Sequence, residues 1–153
     1  MSVITPLPPA LRSRPSVEPP WRTVDTVALV RRLAAAPRVA AGLTLWLVLL
    51  GDRDAPTGLV VPVPDLPSTP DPWVLRGVLH AVGARARSDG PEVRVAVGYA
   101  RPDGGSRGAS EVAWSRALHR AADDLRVKIV TEVAVGRRRT SVLSVHRSLP
   151  HAA

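Results

Sequence analysis

Residues 97–118, "VGYARPDGGSRGASEVAWSRAL", decide how this chain is read. Alternating apolar residues end at Tyr99. A polar loop with Gly104, Gly105 and Gly108 follows, and then apolar residues recur at helical spacing. The stretch is a strand, a glycine loop and an amphipathic helix. Such a junction can be a phosphate cradle, a metal site or only a connection, and its neighbours must discriminate.

Upstream, "EVRVAVGY" sets Val93, Val95 and Val97 on one strand face. Downstream, Trp114, Ala117, Leu118, Ala121 and Leu125 form one helical stripe, with Ser110 as the expected N-cap. "RVKIVTEVAV" and "TSVLSVH" follow as two strands joined by "GRRR". Further upstream, "PSTPDPWVLRGVLHAVGARARSDG" is a helix that Gly90 closes. Asp71 can accept from its free amides, Pro72 suits its first position, and Leu75, Val78, Leu79, Val82 and Ala86 make its buried stripe.

Leu43 to Leu50, "LTLWLVLL", is apolar enough to be a central strand covered on both faces. A second strand, Leu59 to Val63, ends at Pro62 and Pro64 or lies at an edge, because proline donates no ladder hydrogen bond. "TVDTVALVRRLAAAP" is helical from about Val24 and stops at Pro37. The order helix, strand, strand, helix, strand, helix, strand, strand predicts an α/β (α+β) fold. A mixed sheet of about five strands would carry two or three packed helices.

Residues 1–22 hold six prolines and no period, so they read as a disordered tail. Residues 23–148 form a single α/β domain, and 149–153 a flexible C-terminus. The apolar content of 45 % suffices for one core, built from Val, Leu and Ala because the chain has no Phe. Lys128 is the only lysine among 21 basic residues, a bias expected of a GC-rich bacterial genome. The net charge of +8 permits nucleic acid as a partner. No cysteine is present, which excludes disulfides, thiolate metal sites and cysteine nucleophiles. Prolines from Pro6 onward interrupt any signal pattern, and no apolar run approaches the roughly 20 residues of a membrane span. A cytoplasmic protein without membrane contact is expected.

The chemistry tests are mostly negative. "GGSRGAS" has neither the spacing nor the lysine of a Walker A loop, and it also fails G-x-G-x-x-G. His80, His119, His146 and His151 lack paired ligand spacing, so no metal or other cofactor is expected. No G-x-S-x-G elbow surrounds Ser106 or Ser110. Arg137, Arg138 and Arg139 at a hairpin tip are candidate phosphate contacts, with Arg126, Lys128 and Arg147 nearby in sequence.

Across residues 43–146 the chain resembles the JAB/MPN metalloprotease-like fold, in the branch typified by bacterial RadC proteins. The residues that carry the resemblance are "VAVGYARPDGG", "ASEVAWSRAL" and "LRVKIVTEVAVGRRRTSVLS". The family runs a strand into H-N-H-P-S-G, follows with Ser-x-x-Asp on the next helix, and ends on a strand pair. Tyr99 and Arg101 stand here for its two metal-binding histidines. Glu111 lies one residue out of register with its metal-binding Asp, and its upstream catalytic Glu has no counterpart.

The resemblance therefore implies a non-catalytic binding or scaffolding module with a protein partner. Its expected binding loop runs from Tyr99 to Ser110, with Tyr99, Arg101, Asp103, Ser110 and Glu111 as candidate residues. Two alternatives stand beside it. One is a nucleic-acid-associated protein binding phosphates through the basic C-terminal strands. The other is an enzyme of unrecognised type using the 100–110 loop.

Overall fold

The computed structural model describes residues 5–6, 22–35, 42–51, 56–86 and 92–145. Apart from Thr5, Pro6 and Arg22, the proposed tail lies outside the described residues, as do Pro37, Gly90, His146, Arg147, His151 and the 149–153 terminus. The elements are β1 (Thr5–Pro6), α1 (Thr23–Ala34), β2 (Leu43–Leu50), β3 (Pro56–Leu66), α2 (Pro72–Ala86), β4 (Val93–Ala100), α3 (Ala109–Leu125), β5 (Val127–Val135) and β6 (Thr140–Val145). The sheet order is β1-β3-β2-β4-β5-β6. All pairs are antiparallel except β4 with β5, which are parallel and joined through α3. The mixed α/β architecture expected from the element order is what the chain adopts.

Two apolar layers enclose the sheet. Leu45, Leu47, Val95, Val97 and Val127 pack with Leu75 and Leu79 of α2 and Trp114 and Leu118 of α3. On the other face Trp46, Val48, Ala96, Val133 and Val135 pack with Leu29 and Val30 of α1. This is why every residue of β2 is buried. Each such Leu or Val stabilises by about 1.5–3 kcal/mol on burial, so the two layers dominate the fold's energetics. Trp114 also donates its indole N–H to the Pro67 carbonyl at 2.8 Å, which pins α3 to the β3–α2 connection.

Three details depart from the sequence expectation. β3 runs through Pro62 and Pro64 to Leu66, with Pro62 opposite Trp46 of β2. The two prolines, two residues apart, put their missing N–H on the same side. Among the described residues, β1 pairs with Val60 and Leu59 and not with either proline. β1 itself is unforeseen, because two residues carry no period. The N-cap of α3 is Gly108, and Ser110 lies in the first turn. A Cβ at Gly108 would sit 2.5 Å from Oε2 of Glu111, so a larger cap requires that carboxylate to shift.

At the start of α2 Asp71 acts as expected, and α1 has at its start a carboxylate that sequence reasoning missed. Asp71 accepts from the Trp73 N–H at 3.0 Å, and Asp25 accepts from the Arg22 N–H at 2.8 Å.

Candidate functional site

The glycine loop and the arginine turn meet. The Arg137 N–H donates to the Pro102 carbonyl at 3.1 Å, and the Arg101 N–H donates to the Val135 carbonyl at 3.2 Å. Ser141 Oγ donates to the Gly105 carbonyl at 2.8 Å, and the Arg107 guanidinium donates to the Leu143 carbonyl at 2.8 Å. Backbone lies directly on backbone: a Cβ at Gly105 would overlap the Arg139 carbonyl, and one at Gly136 would overlap the Gly104 carbonyl. Gly105 also holds φ at 92°, a value side chains disfavour. The glycines are therefore spacing for a docked turn rather than a cradle for phosphate.

Docking creates a cleft of about 460 Å³ lined by Pro102, Asp103, Gly104, Ser106, Arg137, Arg138 and Arg139. All three arginines are exposed. Among the described residues no carboxylate pairs with any of them. Three exposed guanidiniums on a hydrogen-bonded turn offer forked donors matched to phosphate or carboxylate oxygens.

Beneath this cleft, Arg101 turns inward. Its Nε donates to Oε1 of Glu111 at 2.5 Å and its Nη2 to Oε2 at 3.3 Å. Glu111 is fully buried, whereas the Arg101 side chain is 35 % exposed. The bidentate pair neutralises a carboxylate that would otherwise be stranded at the start of α3.

A second carboxylate is buried further along. Glu132 of β5 accepts from Tyr99 Oη at 2.8 Å, Ser144 Oγ at 2.8 Å and Ser115 Oγ at 3.2 Å, and it also bonds Nε2 of His119. Four donors from β4, β6 and α3 converge on one anion. Burial opposes charge on Glu132. The hydrogen bonds from His119, Tyr99 and Ser144 outweigh it and hold the carboxyl below its usual range. The same hydrogen bond raises His119 above the ordinary imidazole value. Burial, reinforced by the Glu132 charge, pushes the Tyr99 phenol well up.

The candidate residues thus separate into three places. Asp103 joins Arg137, Arg138 and Arg139 in the cleft. Arg101 and Glu111 form the ion pair below it. Tyr99 is buried with Glu132 and does not reach the loop surface, and Ser110 is half-buried in the first turn of α3. Arg126 and Lys128 line a different cleft of about 410 Å³ with Glu92, His119 and Asp123, where both signs of charge are mixed. His80 is exposed on α2. Among the described residues no group of three or more His, Asp or Glu side chains is placed to hold a metal ion, and no helix is long and apolar enough to cross a membrane.

Sequence reasoning missed Glu132. Strand parity hides it, because Val127 and Ile129 face α2 and α3, so a regular strand would send residue 132 to the opposite face. The register shifts between Val95 and Ala96, where Ile129 and Thr131 take consecutive partners and Val130 is extra. This bulge re-aims the strand. Thr131 then meets Thr23 of α1, and Glu132 meets α3. The available signal was a lone carboxylate inside an apolar strand. Compared with known proteins, the chain matches no family model and no curated protein sequence.

Proposed function

We propose that this protein is a non-catalytic binding module whose ligand is a phosphate-rich polyanion, a nucleic acid, held in the cleft between the glycine loop and Arg137–Arg139. The observation that carries the reading is the trio of exposed guanidiniums, unpaired among the described residues and fixed on a turn by main-chain hydrogen bonds. Binding through the Tyr99–Ser110 loop and binding through the arginine turn become one reading, because loop and turn line one cleft.

The JAB/MPN-like resemblance belongs to this proposal. On that alignment Arg101 occupies a metal-binding histidine position, and Glu111 lies beside the metal-binding acid. The Arg101 guanidinium sits on the Glu111 carboxylate, so a fixed side-chain cation takes up the negative charge. An arginine at a ligand position also repels a divalent ion. These points support a domain of that fold in which binding has replaced hydrolysis.

The test is fluorescence anisotropy with a labelled 12-nucleotide single strand across a salt series. Affinity should fall linearly on a log–log plot, and changing Arg137, Arg138 and Arg139 together to Ala should flatten the slope by about 2. Salt-insensitive binding, or an unchanged slope in the triple variant, overturns the reading.

A further inference from the structure

The cleft contains one residue that a pure phosphate site would not keep. Asp103 is exposed, lines the cleft with the three arginines, and carries a charge that repels phosphate. Its carboxylate pairs with none of them and accepts no hydrogen bond among the described residues. An aspartate in a turn ordinarily earns its place by capping nearby amides with its side chain. Here the turn closes through main chain alone, with the Gly104 N–H donating to the Arg101 carbonyl at 3.0 Å. Among the described residues, Asp103 therefore contributes an unused acceptor beside three guanidiniums without a carboxylate partner.

A ligand that satisfies both must present phosphate oxygens next to hydroxyl donors. The sugar–phosphate backbone of RNA does so, because each 2′-hydroxyl sits on the carbon next to the one that carries the 3′-phosphate. The DNA backbone offers the phosphates without that hydroxyl donor, so along the backbone Asp103 meets only negative charge. Ser106, also in the cleft and exposed, adds a hydroxyl that can donate to phosphate or accept from sugar.

We propose that Asp103 is a specificity-determining residue that accepts a ribose 2′-hydroxyl, so that the cleft selects single-stranded RNA over DNA of the same sequence. This inference rests on the polyanion reading above and narrows it.

The experiment measures the affinity of the full chain for matched 12-nucleotide RNA and DNA strands, with native protein and with Asp103→Asn and Asp103→Ala. Native protein should prefer RNA by about 10-fold, the worth of one hydrogen bond to an exposed charged acceptor. In both variants DNA binding should tighten as the repulsive charge is lost, and the RNA preference should shrink toward unity in Asp103→Ala. Equal affinity of native protein for RNA and DNA overturns the inference and leaves the polyanion reading standing. A variant that tightens RNA and DNA by the same factor also overturns it, since Asp103 then acts only through its charge. Absence of binding to either strand overturns the polyanion reading itself, and this inference with it.

Discussion

Glu132 and the arginine turn treat charge in opposite ways. Glu132 is fully buried, and four donors from three elements close around it. Arg137, Arg138 and Arg139 stand exposed only a few residues further along the same hairpin, with no partner among the described residues. A buried anion left unpaired would cost several kcal/mol, so the fold must satisfy it internally. An exposed guanidinium costs little to leave open and keeps its donors for a ligand. Charges that hold the molecule together are thus segregated from charges available to a partner, and the Arg101–Glu111 pair marks the boundary.

Breaking the interior side should have the largest effect. Glu132→Ala strands Tyr99 Oη in the core and frees Ser115, Ser144 and His119, so three elements lose their common anchor. The buried phenol left without an acceptor costs about 1–3 kcal/mol and the vacated side-chain volume about 2 kcal/mol more, so at about 2–4 °C per kcal/mol for a domain of this size the melting temperature should fall by roughly 10 °C. A melting curve within 2 °C of native, roughly 0.5–1 kcal/mol on that scale, would mean that the network does not anchor the hairpin.

The boundary pair should come next. Arg101→Ala leaves Glu111 buried without a cation, at a cost toward the lower end of about 3–5 kcal/mol because Arg101 is itself 35 % exposed. Changing Glu111 to Gln in the same chain should recover part of that loss, because a neutral amide is cheaper to bury. Denaturant midpoints of the two single variants and the double variant give the coupling directly; strictly additive effects would show that the pair is not coupled.

The pH response is smaller, since the His119 side chain is 45 % exposed. His119 is raised in the fold, so its contribution is complete below about pH 6.5 and is lost as pH rises through its elevated value. Glu132 is lowered, so its contribution is present above about pH 4.5 and is lost as pH falls through its depressed value. Stability from this pair should therefore peak between those limits. His119→Gln should remove the decline on the alkaline side, which thermal melts across pH 4–9 would show. An alkaline decline that persists in the variant would assign it to another group.

The sequence was most legible where a single period governs. β2 occupies the span expected from its apolar run, and Leu75, Val78, Leu79, Val82 and Ala86 are the buried stripe of α2. It was least legible where distant segments touch. Gly104 and Gly105 signal a loop by composition, but their contact with Gly136 and Arg139 spans some 30 residues and leaves no local periodicity. Glu132 was hidden by one extra residue in β5, which moves every later side chain to the other face. The cap of α3 falls at Gly108 rather than Ser110, beside the Glu111 carboxylate, a packing relation that cap preferences do not contain.

The division between structural and ligand-facing charge is tested most directly by thermal melts of native protein and the Arg137→Ala/Arg138→Ala/Arg139→Ala variant, each with and without a saturating single-stranded oligonucleotide. The two proteins alone should melt together, within about 0.5 kcal/mol, because exposed substitutions away from the core change little. Only the native protein should gain stability from the oligonucleotide, by about 2.7 kcal/mol at a hundredfold excess over Kd. A triple variant that melts well below native, or that gains as much from the oligonucleotide, would contradict the account.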